Sequence, residues 1–381
     1  MARPRRQGPG RLSRLVHRRL GRGERGAIGV LVAVLIGGGV LVGMGALVID
    51  VGQLYQERAE LQDGADAAAL GVAKTCAIGV CLPLTASLYA DPNASRLTGG
   101  TEGVSQVCGR GSLLLSGCPG SSGALTDCPA PPPFGTSYLD VHTTTQLAGG
   151  STVLPPAFAR TLLGNRGFRG ARVNACAQAE WGAPTVAVVA GITISACEWD
   201  QATNQGNNYA PTPPYPPSPL PAPSFDQVLH LHGTGPTGGC GSEGSGAEAA
   251  ANFSWTDDPG GSCGLSINGN FFGGNAGLSV SQACRTLLSN ARANKSVIFV
   301  AVYVSASGSA SNLSFRLKGF AAFVVTGYYM PGFSAGDWLN SSNDCSGTDF
   351  CLNGYFTTAL IPSGQGIGGL DLGADIIRLT G

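Results

Sequence analysis

Residues 27–49, AIGVLVAVLIGGGVLVGMGALVI, run for 23 positions without a charge or a proline. As a helix rising about 1.5 Å per residue, such a run crosses the roughly 30 Å hydrocarbon core of a bilayer. A cleaved export signal is the other use of a stretch like this. Its apolar region spans about 7–15 residues and ends at a small-residue cleavage site. Here the run is longer, and it flows without a break into VGQLYQERAELQDGADAAAL, Val51 to Leu70. The expectation is an uncleaved anchor.

Charge sets the direction. Nine arginines (Arg3, Arg5, Arg6, Arg11, Arg14, Arg18, Arg19, Arg22 and Arg25) stand before the run against one acid, Glu24. Residues 1–25 therefore carry +8 and the remainder −8, which hides behind a net charge of zero. Basic residues beside a span stay in the cytoplasm. The N-terminus is expected inside and everything after Asp50 outside. The lipid bilayer is the expected partner of the arginine tail, and no nucleic acid is expected.

All twelve cysteines follow the span: Cys76, Cys81, Cys108, Cys118, Cys128, Cys176, Cys197, Cys240, Cys263, Cys284, Cys345 and Cys351. An even set confined to an exported region reads as disulfides, with the connectivity left open by the spacing. Zinc is disfavoured: no CxxC occurs, and His17, His142, His230 and His232 do not complete a ligand set.

Beyond Val51, small or apolar residues fall at Val51, Leu54, Leu61, Ala65, Ala68 and Val72, with Arg58 filling the gap. The spacing alternates three and four, a seam that packs one helix on another. The span and this segment are expected to form one long rod ending near Lys74 or Cys76. Gly39 and Gly43 make a GxxxG, whose bare backbone lets helices approach closely in lipid. Asp50 and Arg58 have no opposite charge at helical spacing on their own helix. They read either as solvated charges or as pairs for neighbouring helices.

The pattern Asp50, Gly52, Leu54-Tyr55, Arg58, Leu61-Gln62 and Asp66-Ala67-Ala68-Ala69-Leu70, following the apolar run, resembles the TadE/TadG-like family of Flp (tight-adherence) pilus assembly proteins. The resemblance covers about fifty residues. It implies a single-pass, pilin-like protein of a pilus apparatus related to type II and type IV secretion systems. Its partners would be other pilin-like and pilus-machinery membrane proteins. The implied assembly seam is Gly39, Gly43, Asp50, Leu54, Tyr55, Arg58, Leu61, Gln62, Ala65 and Asp66. Two departures stand out. Processed pilins are cut after a glycine with glutamate five residues on, whereas five from Gly26 stands Leu31. Larger members also carry a DxSxS metal loop, for which this chain offers only Asp344-Cys345-Ser346-Gly347-Thr348, read as a disulfide loop.

Residues 77–170, rich in glycine, serine and proline, are expected to form loops and irregular turns pinned by cysteines. Residues 171–381 read as mostly β, beginning with TVAVVAGITISACEW as one or two strands. APTPPYPPSPLPAPS, residues 210–224, favours polyproline II and serves as a surface loop. An antiparallel meander is expected from Val297–Val304, Leu313–Leu317 and Phe320–Tyr328, completed by GYFTTALIPS and ADIIRLT.

Two GxSxG strings, at Gly260–Gly264 and Gly332–Gly336, lack the strand-turn-helix setting of a nucleophile elbow. There is no GxxxxGK[ST] and no HExxH. No cofactor and no catalytic residue is assigned.

The expected fold is α+β: a pilin-like transmembrane helix over 26–76, then a disulfide-containing, mostly antiparallel β domain outside the cytoplasmic membrane. The expected function is a non-enzymatic minor pilin or pilus-assembly component. The alternative is an envelope adhesin or ligand-binding protein that uses the helix only as an anchor.

Overall fold

The computed structural model describes residues 26–93, 101–120, 127–147, 149–158, 170–213, 220–231, 240, 253–257, 261–275, 277, 279–308, 313–343 and 349–380. The arginine tail, His17, His232, Cys345, the Asp344–Thr348 loop and the middle of the proline-rich segment lie outside them.

The first helix, α1, covers 26–37, and α2 runs Val40–Ala77. The expected single rod is therefore interrupted at Gly38-Gly39. Three consecutive glycines each cost about 1 kcal/mol of helix propensity relative to alanine. Gly39 takes the left-handed φ of +70°, and the Gly43 N–H donates to the Gly39 carbonyl at 2.7 Å to restart the helix. Among the described residues, no helix is long and apolar enough to cross a membrane.

The chain divides into two units. One comprises Met1–Leu61, Ala94–Glu102 and Thr144–Asn174, and the other Gln62–Asn93, Gly103–Thr143 and Ala175–Gly381. The division falls inside α2, between Leu61 and Gln62, where the sequence reading placed it after residue 76.

In the larger unit, α2 from Ala65 to Ala73 packs with α3 (Ala86–Ala90) on a five-stranded sheet ordered β1-β2-β3-β17-β14. These strands are β1 Thr101–Arg110, β2 Ser137–Gln146, β3 Asn174–Gly182, β14 Ala359–Leu360 and β17 Ala374–Leu379. Leu139, Val141, Ala177, Ala179 and Trp181 meet the helix alanines in one buried cluster. A Cβ on Gly71 would fall within 2.6 Å of the Tyr89 ring, so glycine sets how closely α2 and α3 approach. Two ten-residue strands thus lie in 77–170, where loops were expected. In β2 the run YLDV, Tyr138 to Val141, is buried without interruption, a short signal that the surrounding glycine and proline obscure.

A second sheet is built on β10 (Val297–Ser307) and β11 (Leu313–Met330), joined antiparallel as expected. The two strands anticipated at Leu313–Leu317 and Phe320–Tyr328 form one 18-residue strand. At Lys318-Gly319 the register with β10 shifts, which makes a bulge instead of a turn. Strands β5 (Ile192–Ser195), β7 (Phe253–Thr256) and β9 (Phe271–Asn275) link the free edge of β10 back to β11, closing a ring of five strands. Val300 and Val302 face one core while Ala301 and Tyr303 face another. Burial on both faces explains why the β10 sequence is nearly continuously apolar.

Strand β13 (Cys351–Thr357) pairs with β11, as GYFT implied, and β6 (Gln227–His230) pairs with β13. ADIIRLT, in contrast, becomes β17 and joins β3 in the first sheet. TVAVVAGITIS forms two strands, β4 (Pro184–Ala190) and β5, followed by α4 (Ala196–Ala202). Helix α5 (Gln282–Asn294) was not anticipated, although Ser281 caps it through the Cys284 N–H and Lys295 ends it in the left-handed region.

Five disulfides join Cys76–Cys81, Cys108–Cys118, Cys128–Cys176, Cys197–Cys240 and Cys263–Cys284. Cys351 is also disulfide-bonded.

Candidate functional site

Helices α1 and the first half of α2 show an unusual surface. Ile28, Val30, Leu31, Val34, Ile36, Val40, Leu41, Met44, Leu47, Val48, Ile49 and Val51 are all exposed. Leu47, Val48 and Ile49 are consecutive, so they point about 100° apart and leave the helix bare on more than one side. One stripe is sheltered: Leu35, Gly39, Gly43, Ala46 and Asp50, spaced four, four, three and four residues apart. Gly39 and Gly43 thus lie on the sheltered stripe and not among the bare apolar side chains.

Asp50 is buried, and its Oδ1 accepts a hydrogen bond from the Phe158 backbone N–H at 2.9 Å. The reading of Asp50 as a solvated charge therefore does not hold. The partner comes from 108 residues along the chain, beyond the reach of a helical-spacing argument. Leu54 and Arg58 are half-buried, Arg58 has partners of its own, and Tyr55 is exposed.

From Leu61 onward the surface changes character. Leu61, Ala65, Ala68, Ala69, Val72 and Ala73 are buried. Within the larger unit, Gln62 Nε2 donates to Asp66 Oδ1 and to the Cys176 carbonyl of β3, both at 2.9 Å. The seam residues Gln62, Ala65 and Asp66 therefore face the chain's own sheet. Among the seam positions, only Tyr55 stays exposed.

Two groups of possible metal donors occur among the described residues, Cys128–His142–Cys176 and Cys108–Cys118–Asp140. In each, both cysteines are joined in a disulfide, which leaves one unmodified donor per group. Ser334 of the second GxSxG sits on β12 (Phe333–Ala335), which turns back to pair with β11. His230 on β6 is shifted toward its neutral form by burial, opposed by nearby Asp349.

The sequence reading missed the acids inside the larger unit. Asp337 is buried, and its Oδ1 accepts from the Leu339 and Asn340 N–H groups at 2.7 and 2.9 Å. Its Oδ2 accepts from Asn353 Nδ2 at 3.1 Å. Burial works against the charge, but a hydrogen bond with Asp226 and these amide donors hold the carboxyl below its usual range. Asp375 lies buried on β17, where burial and then the charge of Asp371 push its carboxyl up to about 7. The available signal was an acid inside an apolar strand, as in GADIIRL.

No curated protein and no solved structure matches the chain. Residues 26–75 match the family described as putative Flp pilus-assembly TadE/G-like. The half-bare, half-packed helical stretch of this chain thus coincides with the residues that match the TadE/G-like Flp pilus-assembly model, the family that its sequence resembles.

Proposed function

We propose that the protein is a non-enzymatic, membrane-anchored minor pilin or assembly component of an Flp-type pilus. Helix α1 and the start of α2 sit in the bilayer and pack on other pilin-like helices, with the arginine tail on the cytoplasmic side. The larger unit stands outside the membrane, where its disulfides persist. The observation that carries this reading is the apolar surface from Ile28 to Val51, exposed on several sides of a helix of the TadE/G-like family. In water such a surface costs about 25 cal/mol per Å² left uncovered. Lipid and partner helices remove that cost.

The assembly surface is accordingly the bare part of the helix, and the buried alanines after Leu61 serve the fold. Two measurements test this. The full chain should stay in the membrane pellet after alkaline carbonate washing, and release into the supernatant would sink the anchor. Replacing Leu47, Val48 and Val51 with alanine should leave it membrane-bound but lower its co-purification with pilus-machinery proteins. Undiminished co-purification would remove the assembly role.

A further inference from the structure

The larger unit contains a cavity of about 590 Å³, the size of a small-molecule site. Asp371, Asp375, Tyr209, Trp181, Phe134 and Thr136 are among the residues that line it. Its composition is uneven: two carboxyl groups and three aromatic side chains, with no lysine or arginine in the lining.

Asp375 is 6% exposed, and its Oδ1 is buried with no hydrogen-bond partner among the described residues. A buried carboxyl oxygen without a partner is costly, and native interiors rarely keep one without a use. The groups acting on it deepen the cost. Asp371 raises it further, and Tyr209 is itself raised, first by burial and then by Asp371 and Asp375. No basic side chain among the described residues opposes these shifts. Arg378, three residues along β17, is held by Glu180 at 2.6 Å. Asp371 is better placed, since its Oδ1 accepts the Gly373 N–H at 2.9 Å. The walls therefore hold negative charge that no basic side chain among the described residues neutralises.

We infer that this cavity binds an organic cation, an alkylammonium or alkylguanidinium group, with Asp375 as its buried counter-ion and Asp371 as the outer one. The aromatic side chains suit the same ligand, because a cation beside the face of Trp or Tyr gains from the ring quadrupole. The volume exceeds what one metal ion needs and fits a group of several heavy atoms. The cation could be a free small amine or the basic side chain of another protein. This inference is independent of whether the helix assembles pili or only anchors.

The test is isothermal titration of the full chain in detergent with two probes, n-butylguanidinium and a blocked pentapeptide with one central arginine. Saturable binding of either probe is expected at pH 8. Binding of the free probe assigns the site to small amines, and binding of the peptide alone assigns it to a protein side chain. With a carboxyl that ionises near pH 7, affinity should fall about tenfold from pH 8 to pH 6. Asp375→Asn should lower it at least tenfold at pH 8, and Asp371→Asn by a smaller factor. No binding of either probe by the unmodified protein at pH 8 would overturn the inference. So would equal affinity in folded Asp375→Asn, or an affinity indifferent to pH in the unmodified chain.

Discussion

The two parts of the N-terminal helical stretch, α1 with the start of α2 and the rest of α2, behave differently. Between Ile28 and Val51 most of the large side chains are branched and exposed. Between Leu61 and Ala73 the buried positions are mostly alanine, in contact from Ala65 onward with a sheet of the same chain. Large side chains make a surface that needs another molecule to cover it. Small ones let a helix lie close on its own sheet, where Gln62 fastens it to β3. A helical apolar stripe thus states that a surface will be covered, and residue size helps to tell what covers it.

The largest effect should come from placing a charge in the packed half. Ala69→Asp, at a fully buried position, should cost on the order of 4 kcal/mol or more and unfold the larger unit, as followed by denaturant titration. The Leu47, Val48 and Val51 alanine variant should leave the same titration unchanged. A comparable loss in both would erase the distinction between the halves.

Next comes the interior of the larger unit, which should be indifferent to the bare half. Asp337→Ala removes the acceptor of two backbone N–H groups and one amide, and should cost about 3 kcal/mol. Its carboxyl is held below the usual value, so its contribution is present above the unfolded pKa and fades as pH falls through the folded one. The cost of Asp337→Ala should be equal in the alanine-variant background. A different cost would reveal coupling between the two regions.

Asp375 should act with the opposite sign. Its folded pKa is raised to about 7, so its contribution is full below the unfolded value near 4 and is lost as pH rises through 7. Between pH 4.5 and pH 8 the unmodified chain should lose on the order of 3 kcal/mol that Asp375→Asn does not lose. Denaturant titrations at pH 4.5 and pH 8 give the comparison. Equal pH profiles would mean that Asp375 is ionised and solvated.

The smallest effect is expected at the fastening point. Gln62→Ala should cost about 1 kcal/mol and speed hydrogen exchange in the helix around it, without changing membrane retention. Unaltered exchange would show that alanine packing alone positions α2.

Legibility in the sequence follows range. The exposed apolar run, the buried positions of the three-four spacing from Leu61 to Val72 and the β10–β11 hairpin are local patterns that the structure also shows, although the spacing packs on a sheet where a helix was expected. The break at Gly38-Gly39 was also local, but the length of the apolar run outweighed three glycines. What escaped depends on distant partners. Nothing near Asp50 points to Phe158, and nothing near ADIIRLT selects β3 over β11. The bulge at Lys318-Gly319 is set by close packing: a Cβ on Gly319 would lie 2.9 Å from the Leu370 carbonyl oxygen and from Leu372. The cavity itself was invisible for the same reason, since Tyr209, Asp371 and Trp181 meet only through the fold.

The division of labour along the helix is tested most directly by site-specific photo-crosslinking in intact cells. A diazirine amino acid of about leucine's size is placed at Val48 or at Val72, exposed and buried respectively. The account predicts adducts with other membrane proteins from position 48 and only internal crosslinks from position 72. Intermolecular adducts from position 72, or none from position 48, would contradict it.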